Sequence, residues 1–247
     1  MATKQSEPGR DARHLALKQI GANGQARIAA GSALLIGAGG IGCAAGQYLV
    51  SSGVGRVVIC DFDSIDATNL GRQVLYGPDD LGKSKVRVAG SRLAATNPDI
   101  DISIVESRMD DAQLAEAVAS VDVVLDGSDN FSTRFQVNDA CVAASRRLVS
   151  GAAIRLEGQL AVFGPDYRKS PCYRCLYTEA DESLENCAGN GVLAPVPGVI
   201  GTLMAVEALK TLAGMTVDAG VLHLYDARSS EFRSIAIKKR SDCSTCQ

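Results

Sequence analysis

Short apolar runs alternate with longer amphipathic stretches through the first part of the chain. The short runs are rich in valine, isoleucine and leucine, as buried strands are, and predict strands at Ala33–Ile36, Arg56–Cys60, Ile102–Glu106 and Val121–Leu125. The amphipathic stretches predict helices at Leu15–Ala30, from a glycine-rich segment up to Ser52, at Lys83–Thr96, at Asp111–Ala119 and at Phe131–Ala144. This alternation predicts an α/β fold, Rossmann-like and doubly wound, with a mainly parallel sheet.

The pattern changes after about residue 148. The sequence there predicts a strand at Arg155–Phe163, a crossover loop at 164–195 and a helix at Pro197–Leu212, with proline near its first turn. Val221–Tyr225 and Glu231–Ile237 predict a closing antiparallel hairpin. No linker separates two domains, so residues 1–247 are expected to form a single domain with a mobile N-terminal arm at 1–12.

Composition and charge narrow the class of protein. The 247 residues are 46% hydrophobic and 21% charged, which is globular, and 25 basic against 28 acidic residues give a net charge of −3. That balance argues against a general nucleic-acid binder, which needs clustered excess base. The N-terminus has no apolar signal region, and the most apolar stretch, Gly191–Leu209, is interrupted by Pro195, Pro197 and Glu207. We therefore expect a cytoplasmic protein without a membrane span, whose eight cysteines are thiols or metal ligands.

The segment GAGGIG lies between the first predicted strand and its helix. Its glycines Gly37, Gly39 and Gly42 match the pattern G-x-G-x-x-G, and Gly40 lies between them. Such glycines allow a tight turn and close approach to a phosphate at a helix N-terminus. Asp61 ends the next strand, where a carboxylate can accept hydrogen bonds from a ribose. These features indicate an adenine nucleotide, most commonly NAD; a turn that serves only packing is the alternative.

The residues that follow differ from those of a dehydrogenase. The polar run DFDSIDATNLGRQ places Arg72 where it can hold phosphate oxygens, and Lys85 follows as a point charge for a phosphate. Downstream, DGSDN ends a predicted strand, and a carboxylate there can hold Mg²⁺ on phosphate oxygens.

The four segments GAGGIG, DFDSIDATNLGRQ, GKSKV and DGSDN occur in this order, and the chain from about Arg13 to its end resembles the MoeB/ThiF family of adenylating enzymes, relatives of the ubiquitin-activating enzymes. The resemblance implies a homodimer that uses Mg-ATP to adenylate the C-terminal glycine carboxylate of a ubiquitin-like sulfur carrier ending in Gly-Gly. Acyl adenylate and pyrophosphate are the implied products, in molybdopterin or thiamine biosynthesis.

The resemblance also implies site residues. Asp129 is the implied magnesium carboxylate, and Arg13 matches an arginine that reaches the neighbouring subunit's site, although the family's aromatic residue near Asp11 is missing. The residues implied to bind ATP are the glycines Gly37, Gly39, Gly40 and Gly42 together with Asp61, Thr68, Asn69, Leu70, Gly71, Arg72, Gln73, Lys85, Asp129 and Asn130.

Two C-x-x-C pairs form a second constellation. Cys172 and Cys175 pair with Cys243 and Cys246, and two such pairs can close a structural tetrahedral Zn²⁺ site. A redox-active pair is the alternative. The family resemblance agrees with zinc.

Cys187 lies apart in a polar, glycine-containing loop. The matching cysteine handles sulfur in ThiF-like proteins, whereas MoeB-like proteins share it without a clear need; an incidental thiol is the alternative. Because the sequence stops at Gln247, soon after the last cysteine pair, we expect sulfur to come from a separate donor, a cysteine desulfurase or rhodanese.

Two other functions remain open from the sequence. The glycine pattern alone would suit an NAD-dependent dehydrogenase, and some relatives of activating enzymes are non-catalytic scaffolds for a ubiquitin-like partner. The complete polar set, with Arg72, Lys85 and Asp129, favours a catalyst.

Overall fold

The computed structural model describes residues 9–178 and 191–247. The helices of this part of the chain are α1 Ala12–Leu15, α2 Gly21–Ala30, α3 Gly40–Ser51, α4 Lys85–Thr96, α5 Asp111–Ala119, α6 Phe131–Ala143, α7 Tyr173–Leu176 and α8 Pro195–Ala213. Its strands are β1 Ser32–Ile36, β2 Arg56–Cys60, β3 Asp101–Val105, β4 Val123–Asp126, β5 Arg147–Ile154, β6 Glu157–Phe163, β7 Val221–Asp226 and β8 Glu231–Ala236.

These strands form a single sheet in the order β3-β2-β1-β4-β5-β6-β7-β8. The five strands from β3 to β5 are parallel to their neighbours, and the pairs from β5 to β8 are antiparallel. The predicted fold class, a mainly parallel sheet with antiparallel C-terminal strands, is confirmed. Strands β2 and β3 follow β1 on one side of the sheet, and the chain then returns to form β4 on the other side of β1. In doubly wound sheets ligands bind at the point where the strand order reverses in this way.

Helix α7 lies within the predicted loop 164–195, and two further elements differ from the sequence prediction. Strand β5 was not predicted, because its central residues are small and carry little of the hydrophobic signal of a strand. The predicted helix Leu15–Ala30 is wrong as one element: α1 ends at Leu15, and α2 starts at Gly21, whose φ of +54° breaks the helical path. Since α1 begins at Ala12 and residues 1–8 lie outside the described part, the mobile arm stays a prediction.

Apolar cores lie on both faces of the sheet. On one face α3, α4 and α8 cover it, and on the other α5 and α6 pack beside the cysteine pairs. Helix α8 is, within the described residues, the one helix long and apolar enough to cross a membrane by length and composition. Half of its most apolar 18-residue stretch is buried, and Ile200 and Met204 are inaccessible to solvent, in agreement with the sequence prediction of a buried helix. The two faces thus hold the carboxyl ends of β1, β2 and β4 fixed relative to one another.

Candidate nucleotide-binding site

A cavity of about 280 Å³ opens at the carboxyl ends of β1, β2 and β4. Its walls come from the glycine turn after β1, the polar run after β2, the start of α4, and the loop between β4 and α6. The sequence-predicted residues on its wall are Gly37, Gly39, Gly40, Asp61, Asn69, Arg72, Gln73, Lys85, Asp129 and Asn130. The predicted residues Gly42, Thr68, Leu70 and Gly71 are not on the wall.

The glycine turn is shaped by two backbone requirements. Gly37 has a φ of +88°, in the left-handed region that favours glycine. A Cβ on Gly42 would lie 1.9 Å from the carbonyl oxygen of Gly37, so Gly42 supports the turn from behind the cavity. Helix α3 begins at Gly40, on the cavity wall, and the unpaired N–H groups of a helix N-terminus favour phosphate. The turn is therefore suited to a nucleotide's phosphates.

Asp61 fastens this turn to the polar run. Its Oδ2 accepts a hydrogen bond from the Ala38 N–H at 2.7 Å, and its Oδ1 accepts one from the Asp63 N–H at 2.9 Å. Burial raises the pKa of the Asp61 carboxyl, while these hydrogen bonds and nearby Lys85 act in the opposite direction. Each oxygen keeps a further lone pair, so ribose binding by Asp61 stays a prediction that this geometry allows.

The polar run after β2 folds back on itself. Asp66 caps a short 3₁₀ helix at Ala67–Asn69, accepting hydrogen bonds from the N–H and hydroxyl of Thr68 at 2.8 and 2.7 Å. Arg72 donates to the Thr68 carbonyl at 2.8 Å, which sets the direction of its guanidinium. Gln73 is buried, and its Oε1 has no hydrogen-bond partner among the described residues. Thr68 thus contributes by holding Arg72 at the cavity.

Lys85 brings a buried cation to the cavity. It is the first residue of α4, and its side chain is only 8% exposed. Its Nζ lies 2.7 Å from Oδ2 of Asp63, whose side chain is half exposed. A lysine buried beside one carboxylate can also bind a phosphate oxygen, because an ammonium has three donors.

The loop after β4 carries the predicted magnesium residue. Asp129 is exposed on the cavity wall, and Asn130 caps α6 by accepting a hydrogen bond from the Thr133 N–H at 2.8 Å. Asp126 at the end of β4 is fully buried, and burial raises the pKa of its carboxyl although Arg134 lies nearby. Of the carboxylates in this loop, Asp129 is the one accessible from solvent.

The cavity wall also contains residues that were not predicted from the sequence, among them Arg134, Phe62 and Arg108. Arg134 lies one helical turn beyond Asn130, a spacing that could have indicated it. Phe62 follows Asp61 in the polar run, and the guanidinium of Arg108 lies 5.1 Å from the centre of its ring. Phe62 is 52% exposed, which gives the cavity a flat apolar surface. No sequence signal marks Arg108.

The structure does not test the roles predicted for two further site residues. Arg13 is an exposed residue of α1 and is not on the cavity wall of its own chain. Cys187 falls in the segment 179–190, outside the described residues. The roles predicted for both residues stay predictions.

The four cysteines predicted to bind metal come together beside the second half of α6, away from the nucleotide cavity. Their sulfur atoms all lie within 4.8 Å of one another, with Cys172 and Cys243 at 3.7 Å and Cys175 and Cys246 at 3.5 Å. Tetrahedral zinc–thiolate bonds of about 2.3 Å place sulfur atoms about 3.8 Å apart, so the spacing fits zinc. All four are buried and none forms a disulfide, an arrangement that favours metal over the redox alternative.

Polar groups around the cluster donate hydrogen bonds to its sulfur atoms, while burial raises the pKa of the Cys172 and Cys246 thiols. The Lys239 ammonium donates to Cys246 Sγ at 3.2 Å, and the Asn138 amide donates to Cys172 Sγ at 3.8 Å. Burial opposes the charged form of Cys243, but hydrogen bonds from the backbone of Thr245 and Cys246 lower the pKa of this thiol to about 7. Such outer contacts are typical of sites that hold a metal in a fixed orientation.

The chain is similar to known proteins over nearly its whole length. A family model described as the ThiF family matches residues 12–245. The sulfur carrier protein ThiS adenylyltransferase of Escherichia coli is 41% identical over 237 residues, covering 96% of this chain and 94% of the relative. Molybdopterin-synthase adenylyltransferase of E. coli is 43% identical over 236 residues, covering 95% and 94%. The Xenopus laevis adenylyltransferase and sulfurtransferase MOCS3 is 41% identical, but this chain spans only 53% of its length.

Solved structures show the same fold. A crystal structure of E. coli MccB with MccA-N7isoASN matches 97% of this chain and 75% of MccB, with a TM-score of 0.84 and 25% identity. The relatives named above are adenylyltransferases, which confirms the prediction of that enzyme type over the dehydrogenase and the scaffold. With its fold, its family match across nearly the whole chain and these relatives, the chain belongs to the ThiF family and is an adenylyltransferase of the ThiF/MoeB type.

Proposed function

We propose that this enzyme adenylates the C-terminal glycine carboxylate of a small ubiquitin-like sulfur carrier. The observation that carries the proposal is the convergence of the glycine turn, Arg72, Lys85 and Asp129 on one cavity, although they come from four segments of the chain. The relatives named for ThiS and for molybdopterin synthase support a sulfur carrier as the substrate.

The proposed reaction is a displacement at the α-phosphorus of ATP. A carboxylate oxygen of the carrier forms a bond to this phosphorus, the bond from the α-phosphorus to the oxygen bridging to the β-phosphate breaks, and pyrophosphate leaves with the electron pair. No covalent bond to the enzyme is needed, so the enzyme acts by positioning and by stabilising charge. Arg72 and Lys85 supply positive charge to the phosphates, and the glycine turn supplies backbone N–H groups.

Asp129 suits magnesium by its chemistry and its exposure. It offers hard oxygen ligands at a solvent-accessible point of the cavity, and Mg²⁺ in nucleotide sites is typically held by one or two carboxylates and the phosphates. When bound there, the ion would offset the charge of the phosphates. We assign Asp129 to hold it.

The carrier's tail fits the side of the cavity beyond Asp129. This wall is formed by residues of β5 and β6, including Ala152, Ala153 and Gln159, and by Pro197 of α8. A tail that ends in two glycines has no side chains, so it can lie close against this wall. MccB, whose structure was solved with MccA-N7isoASN, has the same fold.

Four further features belong to this proposal. The Cys172, Cys175, Cys243 and Cys246 cluster binds Zn²⁺, and the enzyme works as a cytoplasmic homodimer in which Arg13 reaches the neighbouring chain's cavity. Sulfur comes from a separate donor, a cysteine desulfurase or a rhodanese. The pathway is molybdopterin or thiamine biosynthesis; the relatives of the two kinds are 43% and 41% identical, so identity favours neither.

Exchange of labelled pyrophosphate into ATP tests the proposal. The purified enzyme should catalyse exchange only with Mg²⁺ and a carrier ending in Gly-Gly, and carriers of the ThiS type and of the molybdopterin-synthase type are assayed side by side. The matched control is each carrier without its last glycine, which should support no exchange. Equal exchange with the truncated carriers, or none with any carrier, would contradict the proposed substrate.

A further inference from the structure

Helix α6 connects the nucleotide cavity to the cysteine cluster. Asn130, Arg134 and Asn138 follow one another at intervals of four residues, so they lie along one face of the helix. Asn130 is on the cavity wall and Asn138 contacts Cys172 Sγ, while Arg134 lies between them. The helix thus borders the nucleotide cavity at its first turn and the cysteine cluster in its second half.

Arg134 donates two hydrogen bonds to the loop that carries Asp129. Its side chain is buried, with 4% exposure. Nε and Nη2 both donate to the Ser128 carbonyl, at 3.2 and 2.8 Å, and Nη1 lies 3.3 Å from the hydroxyl of Tyr173. Since Ser128 directly precedes Asp129, this fork fixes the peptide from which the Asp129 carboxylate extends.

Tyr173 is in turn fixed by the cysteine cluster. It lies between Cys172 and Cys175, its N–H donates to Asn138 Oδ1 at 2.8 Å, and its ring packs edge-on against Phe135 and Phe163. The hydroxyl that faces Arg134 is therefore carried by a rigid segment.

Asp139 of α6 strengthens the same connection. Its carboxylate accepts two hydrogen bonds from Arg174, both at 2.8 Å, and one from the Thr245 hydroxyl at 3.2 Å. One residue of α6 therefore holds both cysteine pairs.

We propose that Arg134 is a positioning residue for the magnesium side of the nucleotide site, holding the Ser128–Asp129 peptide from an anchor on Tyr173 in the cysteine cluster. The inference rests on the proposed function, because it needs Asp129 as the magnesium carboxylate. Mg²⁺ demands near-ideal octahedral geometry, and a functional constellation works only when its groups are held to about 0.5 Å. If the Ser128 carbonyl were free to move, the binding of Mg²⁺ would therefore weaken more than the binding of the rest of the nucleotide.

The test compares ATP affinity with Mg²⁺ and in magnesium-free buffer, by calorimetry on the zinc-replete enzyme without carrier. Arg134→Lys keeps a positive charge but cannot form the fork, and Tyr173→Phe removes only the hydroxyl. The matched control is Tyr167→Phe, which removes another buried hydroxyl near the cluster, one that donates to the Arg146 carbonyl at 2.8 Å and is not on the cavity wall.

We expect the gain in ATP affinity from Mg²⁺ to fall about tenfold in Arg134→Lys, the size expected for a lost hydrogen bond to a charged group, and about threefold in Tyr173→Phe, where the Ser128 contacts persist. ATP affinity without Mg²⁺ and zinc content should match the wild type in both variants, and the Tyr167→Phe control should match it in every measurement.

Three results would overturn the inference. One is a normal magnesium gain in both variants, and another is an equal loss with and without Mg²⁺, which would indicate a merely structural role. The third is a wild-type enzyme that binds no ATP, which would overturn the proposed function together with this inference. ATP binding without carrier adenylation would contradict only the proposed substrate and leave the magnesium comparison valid.

Discussion

Replacing Asp129 with asparagine separates the chemistry of the site from the stability of the fold. The substitution keeps the size of the side chain and exchanges one carboxylate oxygen for an amide nitrogen. Asp129 is exposed and belongs to neither apolar core, so the free energy of unfolding should change by no more than about 0.5 kcal/mol. Any large loss of activity would therefore come from the site.

The expected loss follows from the charge that Asp129 brings to the cavity. Removing one preorganised charge-stabilising group from a transition state costs about 3 kcal/mol, which corresponds to about a 150-fold fall in kcat/KM. The amide oxygen still offers a neutral ligand, so Asp129→Asn should retain a measurable rate. Asp129→Ala removes both oxygens and should abolish exchange.

The assay is ATP–pyrophosphate exchange at fixed carrier concentration, with thermal unfolding of each variant measured in parallel. Asp218→Asn is the matched control, because Asp218 is also exposed and is not on the cavity wall. A folded Asp129→Asn enzyme with exchange within about threefold of the wild type would refute the assignment of this carboxylate, since the expected loss is about 150-fold.

Three further predictions concern the cluster, the glycine turn and the loop cysteine. Metal analysis should find one zinc per chain, and Cys175→Ser or Cys246→Ser should lower both zinc content and melting temperature; metal-free protein with a reducible disulfide would contradict this. Gly42→Ala should lower the melting temperature and abolish ATP binding in calorimetry, because its Cβ would lie 1.9 Å from the carbonyl oxygen of Gly37; unchanged affinity would show that the turn does not hold the nucleotide. Cys187→Ser should leave pyrophosphate exchange unchanged, since no thiol enters the adenylation, and should slow thiocarboxylate formation only if the enzyme is ThiF-like; loss of exchange in folded protein would place the thiol in the adenylation step.

Strands β1 to β4 of the parallel half of the sheet could be predicted closely because they carry their own hydrophobic signal. Strand β2 spans the predicted Arg56–Cys60, and β1 differs from its prediction by one residue. Once these strands are placed, the polar groups that follow them must meet at one edge of the sheet. This is why the segments that carry Asp61, Arg72 and Asp129 could be assigned to one site without the structure, while the resemblance to the family singled out Asp129 within its segment.

Strand β5 could not be predicted, because helix α8 supplies the large apolar side chains that pack at the centre of this strand. The strand has small residues at its centre, and a Cβ on Gly151 would lie 2.3 Å from Met204 Sδ. Helix α8 supplies the large side chains, Ile200 and Met204, that a strand in this position would otherwise carry. The hydrophobic pattern of one segment does not show that a second segment supplies the large side chains packed against it.

The missed wall residues have a similar explanation. Arg134 acts on a backbone carbonyl, and Arg108 lies against a ring from a segment distant in sequence. A backbone carbonyl is present at every position and leaves no sequence signature, so only the folded chain shows which arginine it meets.

The cysteine cluster lies beside the least covered part of the sheet. Every residue of the edge strand β8 is exposed, and Phe232 and Ile235 are 55% and 51% exposed. A hairpin with so little buried surface is marginal by itself. Cys243 and Cys246 lie in the segment after β8 and meet residues 71 positions earlier in the chain, so a metal there would restrict a long loop of the unfolded chain. The same cluster anchors α6, whose first turn borders the nucleotide cavity. A closed four-thiolate site suits this double task, because with no open ligand position it can hold two parts of the molecule together without taking part in the reaction.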